Sequence, residues 1–182
     1  MKHGYIIVPG GPDTHGYNFA QDRIQKAIDC CKSTSLCKII IAGKECEAMK
    51  RYAVDNGIPE ADMLAIAPGS RSTLEDLYSS KKTAEKMGWK NPLIITSFSH
   101  KWRTKYFAGK VDESFEILTS QPASSADLIN CMFVEASYLV AAKISLGPIC
   151  RVDKRTVEAY ERATQPFDRI FEKLRKLRII RN

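Results

Sequence analysis

The chain has 182 residues, of which 44% are hydrophobic and 27% are charged. This length suits a single ordinary domain, and this balance is typical of a globular protein and excludes an intrinsically disordered one. No apolar run is long enough to cross a bilayer, and the short apolar start is typical of a strand and not of a signal peptide. We therefore expect a cytoplasmic protein without a membrane span.

The formal net charge is +7 and the sequence pI is about 9.1. Such a charge favours an anionic partner, or loose contact with nucleic acid or a membrane. Much of the excess lies near the end of the sequence, so we expect no nucleic acid partner for the main domain.

Apolar runs and helical patterns alternate through the first half of the chain. The β-branched run at 5–8 ends at Pro9-Gly10-Gly11-Pro12, which favours a buried strand followed by a loop. Asn56-Gly57 is typical of a helix end. We predict strands over 5–8, 38–42 and 63–67, and helices over 19–33 and from about 45 to 56.

The alternation continues through the second half. Ser72 and Glu75 form a capping-box pattern, which begins a helix by satisfying its first N–H groups. We predict helices over 72–88, over 99–108 and from 124 or 125 to 144, and strands over 93–96 and 115–118.

Regular alternation of strands and helices predicts the fold class. Helical crossovers of this length join parallel strands. We therefore expect a single Rossmann-like α/β domain over 1–150, with a mostly parallel sheet of about five strands and helices on both faces. A C-terminal helical extension follows over 151–182.

The extension is predicted to be helical from Asp153, with a break at Pro166. One face carries an apolar stripe, formed by Phe167, Ile170, Phe171, Leu174 and Leu177. The other faces are basic, with Arg169, Lys173, Arg175, Lys176, Arg178 and Arg181. This pattern favours a packing helix with a solvated basic face, and the alternative is contact with nucleic acid or a membrane surface.

The six cysteines form no C-x-x-C pair, and several fall on apolar faces. The spacing does not match a zinc site, so we predict no metal site and expect free thiols buried as small hydrophobic side chains. Asp76, Glu47 and Glu75 stay open as ligands of Mg²⁺, but nothing in their spacing requires that ion.

In an open α/β sheet, ligands bind beyond the carboxyl ends of the strands. The residues predicted at those ends are Gly10, Gly11, Gly43, Lys44, Glu47, Ser72, Thr73, Thr96, Ser97, His100 and Arg103. The glycines allow a ligand to approach the backbone closely. The hydroxyl groups are donors for phosphate or carboxylate oxygens. We expect these residues to line one positively charged cleft.

The most informative stretch runs from the strand at 93–96 into the next helix. His100 and Arg103 are three residues apart, so they share one helical face in the first turns, where the helix dipole favours an anion. Arg103 can bind two oxygens, and His100 can donate a hydrogen bond or move a proton near neutral pH. Lys44 at a helix N-terminus is unfavourable alone, and a bound anion would explain it. Ser72 has the alternative role of a simple N-cap, and Glu47 suits the dipole of its own helix.

Four short motifs occur in a fixed order. Arg23 and Ala27 form an Arg-x-x-x-Ala helix. Ala42-Gly43-Lys44 and Glu47-Ala48-Met49 follow the second strand. Residues 70–76 are similar to Ser-x-Thr-x-Glu-Asn, and Thr96, Ser97, His100 and Arg103 match Thr-Ser-x-x-His-x-x-Arg in full. Through these motifs the chain resembles, over roughly 4 to 145, the YdcF/SanA-like family of α/β proteins of largely unassigned function.

The resemblance implies a Rossmann-like sheet with the motifs around one cleft. Members of that family have been connected with S-adenosylmethionine binding and, where membrane-anchored, with the cell-envelope barrier. The resemblance therefore implies S-adenosylmethionine as a cofactor or ligand. Lys44 replaces the second glycine of the family pattern and Asp76 replaces its asparagine, so the charge at the cleft differs.

We predict that the cleft binds an anionic or nucleotide-like small molecule. The protein is then either an enzyme of hydrolase or group-transfer type or a non-catalytic ligand-sensing module. In an enzyme, His100 would act as acid or base, and Ser97 would be a candidate nucleophile if it lay within hydrogen-bond reach of His100. The sequence has no P-loop, dinucleotide fingerprint, nucleophile elbow or zinc-protease helix.

Overall fold

The computed structural model describes residues 4–10, 19–33, 38–120, 125–147 and 152–176, and it describes only the backbone at 19, 125–134, 167–168, 171–172 and 174–176. The strands are β1 (Tyr5–Pro9), β2 (Ile39–Ala42), β3 (Met63–Ile66), β4 (Pro92–Ser97) and β5 (Glu116–Ser120). The helices are α1 (Phe19–Lys32), α2 (Cys46–Asp55), α3 (Thr73–Lys86), α4 (Lys101–Val111), α5 (Ser125–Leu146) and α6 (Lys154–Lys176).

The described strands form one five-stranded sheet in the order β3-β2-β1-β4-β5, and every neighbouring pair is parallel. This arrangement confirms the predicted Rossmann-like α/β class. The central strands are buried on both faces, and Ile39, Ile40 and Ile41 are each 0% exposed. Burial of each such side chain stabilises the fold by roughly 1.5–3 kcal/mol, which explains why these strands are continuous apolar runs.

The two faces of the sheet have separate cores. Ile6 and Val8 of β1 pack with α1 and α2, whereas Ile7 packs with α3, α4 and the following helices. The alternation follows from the two-residue period of a strand. Helices that connect strands to the left and to the right of β1 therefore cover opposite faces.

The strand order changes direction between β1 and β4. These strands are hydrogen-bonded neighbours although they are far apart in sequence. The helices that follow them lie on opposite faces, so a crevice opens beyond their carboxyl ends, at Pro9 and Ser97. The fold places the expected binding region at this switch point.

Two sequence predictions are corrected by the structure. The predicted break at Pro166 is wrong, because α6 continues from Lys154 to Lys176 with Pro166 inside it. A proline removes one backbone hydrogen bond, but several turns of α6 precede it, and Val157, Tyr160 and Thr164 are buried there. The expectation of free thiols holds for Cys30 and Cys46 and is wrong for Cys31, which is disulfide-bonded.

The first half of α6 packs against the α3 and α4 side of the domain. The Tyr160 ring meets Phe107 of α4 edge to face at 5.2 Å between centroids. The Ser72 hydroxyl, the N-cap of α3, donates to Glu161 Oε1 at 3.1 Å. Beyond Pro166, Ile170 of the predicted apolar stripe is 53% exposed. The extension is therefore anchored through its first turns.

The contact of Glu161 with α3 should make stability depend on pH. Burial, followed by the hydrogen bond and charge of Glu75, raises the pKa of Glu161 to about 7, against the opposing effects of Ser72 and Arg71. Between pH 4.5 and about 7 the folded state thus keeps a proton on Glu161 that the unfolded state releases. The contribution of Glu161 to the free energy of unfolding is therefore fully present below pH 4.5 and is lost as pH rises to about 7. We expect Glu161→Gln to flatten this decline in urea unfolding measured across that range. Glu158→Gln, on the exposed side of α6, is the control, and equal slopes for the two variants would contradict the assignment.

Candidate functional site

Two glycines bring the ends of β1 and β2 into contact. Gly10 N–H donates to Ala42 O. Gly43 has a φ of +101°, and a Cβ there would lie 3.1 Å from Gly10 Cα and 3.2 Å from Asp76 Oδ2. A Cβ on Gly10 would lie 2.8 Å from Glu45 Oε2. Other parts of the protein make the close approach seen here, and the predicted approach of a ligand to these glycines stays a prediction.

Arg23 of α1 joins β1 to β4 at the switch point. Its Nη1 donates to Pro9 O at 2.9 Å and to Gly10 O at 2.6 Å, and its Nε donates to Ser97 Oγ at 2.7 Å. The side chain is 1% exposed, and Nη2 is buried without a hydrogen-bond partner. The fixed fork of the guanidinium holds both strand ends and leaves the two N–H groups of Nη2 unused.

The charge of Arg23 is not matched by a contacting carboxylate. No described acidic side chain forms an ion pair with it. Burial, with a smaller effect of Arg103, lowers the pKa of Arg23 to about 10, while Glu135, Asp76 and Glu45 act in the opposite direction from a distance. The guanidinium is still charged at neutral pH. A buried cation without a counter-ion is costly, so this position favours an anion.

Asp76 reaches the same edge from α3, on the opposite face of the sheet. Its side chain is 4% exposed, and its Oδ1 is buried without a partner. Burial raises the pKa of Asp76 to about 7, although a hydrogen bond from Ser70 lowers it. The carboxyl group therefore titrates near neutral pH.

Arg103 is neutralised by Glu135 of α5. Arg103 Nη2 donates to Glu135 Oε1 at 3.0 Å, and Nε lies 2.7 Å from Oε2 as an ion pair without the alignment of a hydrogen bond. The Tyr138 ring centroid lies 5.0 Å from Arg103 Cζ. Burial raises the pKa of Glu135, despite the opposing charges of Arg103 and Arg23. Arg103 and Glu135 therefore balance each other's charge, whereas no described carboxylate forms an ion pair with Arg23.

The His100 ring is held between these two charged groups. Its Nδ1 lies 3.3 Å from Arg103 Nη2, and its Nε2 lies 3.4 Å from Glu135 Oε1. Because a guanidinium offers only donors, Nδ1 must accept and the proton lies on Nε2, facing Glu135. Burial, and then the charges of Arg23 and Arg103, lower the pKa of His100 well below its usual range. His100 is therefore a neutral ring with a fixed orientation. To transfer a proton to or from a ligand, it would first have to break its contact with Arg103 or with Glu135.

The structure distributes the other predicted site residues unevenly. Arg23 joins Gly10 to Ser97, and Gly43 contacts Gly10. His100 and Arg103 meet around Glu135. Three polar groups serve local structure: Ser72 is the N-cap of α3, Thr73 is buried in its first turn, and Thr96 Oγ1 lies 3.3 Å from Thr104 Oγ1. Lys44 and Glu47 are exposed. Gly11 lies outside the described residues.

Sequence reasoning gave too little weight to three side chains. Arg23 entered only as part of a family motif, Asp76 entered as a departure from one and as an open Mg²⁺ ligand, and Glu135 was not singled out. A signal existed for two of them. Arg23 shares a helical face with the buried Ala27, and Glu135 is the one charged residue in the mostly apolar run from 128 to 142. Charges on apolar faces are typical of buried partners.

Comparison of the chain with family models, curated proteins and solved structures gave no significant match. The family resemblance therefore stays a prediction. Within the described residues, no group of three or more His, Cys, Asp or Glu side chains is placed to hold a metal ion. None of the described helices is long and apolar enough to span a membrane.

The Gly10–Gly43 contact gives a test of backbone crowding. Gly43→Ala should destabilise the protein through its positive φ and through contacts with Gly10 and Asp76. Gly57→Ala is a matched control, because Gly57 has a φ of +90° but a Cβ added there would meet nothing within 4 Å. We expect the control to cost about 1–2 kcal/mol and Gly43→Ala to cost at least about 1 kcal/mol more in urea unfolding. Equal costs would show that the contact tolerates a methyl group.

Removal of the Glu135 charge should leave Arg103 buried and unpaired. We expect Glu135→Gln to lower the free energy of unfolding by about 3–5 kcal/mol. Glu85→Gln, which breaks the exposed ion pair with Lys82, should have little effect because solvent screens it. Chemical denaturation of both variants measures the difference, and a small effect of Glu135→Gln would mean that water reaches Arg103.

Proposed function

We propose that the protein binds an anionic or nucleotide-like small molecule beyond the carboxyl ends of β1 and β4. The observation that carries the proposal is Arg23, a buried cation at the switch point that forms no ion pair with a described residue and whose Nη2 has no hydrogen-bond partner. A phosphate or carboxylate oxygen would accept the Nη2 hydrogen bond and balance the charge.

The comparison of Arg23 with Arg103 supports this proposal. Both guanidinium groups are poorly accessible to solvent, but Glu135 balances Arg103 at 2.7 Å. The described residues thus supply a contacting counter-ion for Arg103 and none for Arg23. Ser97, which accepts from Arg23 Nε, keeps its hydroxyl proton available for a ligand oxygen.

S-adenosylmethionine is the named candidate ligand, and only the family resemblance suggests it. The molecule has a carboxylate for Arg23 and a nucleoside, so it fits the proposed class. Absence of heat in calorimetry with this compound and with its demethylated product would remove it from consideration.

The contacts of Ser97 and His100 bear on the choice between an enzyme and a sensor. The Ser97 hydroxyl is engaged by Arg23, and His100 is oriented by Arg103 and Glu135. We therefore propose that Ser97 binds the anion, and that a hydrolase or group-transfer step, if there is one, uses His100 after ligand entry. His100→Ala separates the two cases, because a sensor retains most of its affinity whereas an enzyme loses turnover.

A thermal-shift screen with inorganic phosphate, nucleotides, sugar phosphates and S-adenosylmethionine tests the proposal, because a ligand that prefers the native state raises the melting temperature. We expect Arg23→Lys, which keeps the charge but loses the fork, to weaken binding about tenfold. Arg51→Met on the exposed face of α2 is the control and should bind like the unaltered protein. No stabilisation by any of these anions, or equal binding by the Arg23 variant, would refute an anion site at Arg23.

A further inference from the structure

Two charged side chains of opposite sign at the described carboxyl edge of the sheet each have a buried polar atom without a hydrogen-bond partner and form no ion pair with a described residue. Arg23 Nη2 is a donor and Asp76 Oδ1 is a carboxyl oxygen, and both are buried without a hydrogen-bond partner. Their side chains are 1% and 4% exposed. Buried polar groups in native proteins are nearly always satisfied, so two such atoms at one edge point to a missing partner.

The two groups approach from opposite faces and do not satisfy each other. Arg23 is fixed to Pro9 and Gly10 by its Nη1. Asp76 Oδ2 lies against Gly43, which in turn touches Gly10. The two side chains influence each other's pKa, so they share an electrostatic environment, yet they form no ion pair. The donor and the acceptor therefore flank the Gly10–Gly43 contact as two separate poles.

We propose that this crevice receives a zwitterionic head group of the α-amino-acid class, with its carboxylate on Arg23 and its ammonium on Asp76. The inference rests on the proposed anion site and specifies the ligand further. A simple phosphate would satisfy Arg23 but would leave Asp76 Oδ1 without a donor and add negative charge beside it. A head group with both charges satisfies both poles and leaves the site neutral.

The titration of Asp76 adds a pH signature. The groups that act on it are Ser70 and Glu75 beside it, Arg23 on the opposite face, and Glu45 at the start of α2. An ammonium group binds the ionised carboxylate, so affinity should rise as pH increases through about 7, where Asp76 loses its proton. A ligand that carries only an anion should not gain affinity in this way.

The test compares three probes, L-alanine, propionate and ethylamine, in NMR titrations of the intact protein. L-alanine should bind about tenfold more tightly than propionate, because it adds a charge-assisted hydrogen bond, and ethylamine should bind least. Asp76→Asn should reduce L-alanine affinity to that of propionate and abolish its rise with pH. Arg23→Lys should weaken both carboxylates. Asp55→Asn, at an exposed carboxylate at the end of α2, is the control, and circular dichroism verifies that each variant is folded.

Equal affinity for L-alanine and propionate, no effect of Asp76→Asn, or no L-alanine binding at tens of millimolar would each overturn the inference. These failures are distinct from failure of the anion site, which the thermal-shift measurement with inorganic phosphate tests independently. S-adenosylmethionine distinguishes two sources of the head group. Tighter binding than L-alanine with the same dependence on Asp76 assigns it to a nucleoside-linked ligand, and absence of binding assigns it to a free amino acid.

Discussion

The guanidinium of Arg23 connects the parts of the protein on which any ligand must depend. It holds the ends of β1 and β4 at the one place where the sheet changes direction. Backbone carbonyls and a serine hydroxyl satisfy three of its hydrogen bonds, but none of these partners carries a negative charge. The strand ends are therefore fixed by a cation that forms no ion pair with a described acidic side chain. The positions of Gly10 and Ser97 follow from this arrangement.

A second, self-contained set of charges lies beside the first. Arg103, Glu135 and the neutral His100 ring satisfy one another, so this group needs no ligand to be stable. The two sets therefore have different roles at the sheet edge. One orients the first turns of α4 and the other presents an unbalanced charge at the crevice. A buried carboxyl group, Asp76, lies across from that charge, and so the edge has a polarity that a ligand can match.

The sequence predicted the fold well, because its signals are local. Buried β-branched runs and the Ser72 cap determined where elements begin, and the alternation of strands with helices determined that the sheet is parallel. The predicted site was less complete, since a strand end identifies candidates but not their partners. Ser97, at the end of β4, was predicted from its own hydroxyl, yet its partner Arg23 lies on α1, 74 residues away in the sequence. Glu135 and Pro166 show the same limit. Long-range packing decides that Glu135 pairs with Arg103, and it decides that α6 continues through Pro166.

The reach of Glu135 from α5 has a consequence for the extent of the folding unit. The five strands and α1 to α4 would leave Arg103 without its counter-ion and His100 without its Nε2 acceptor. Ala142 and Leu146 of α5 also fill the core beneath α3 and α4. The smallest unit that folds on its own therefore includes α5. A fragment that ended after β5 would expose apolar surface and leave the charge of Arg103 without its counter-ion. Helix α5 is therefore an integral part of the domain core.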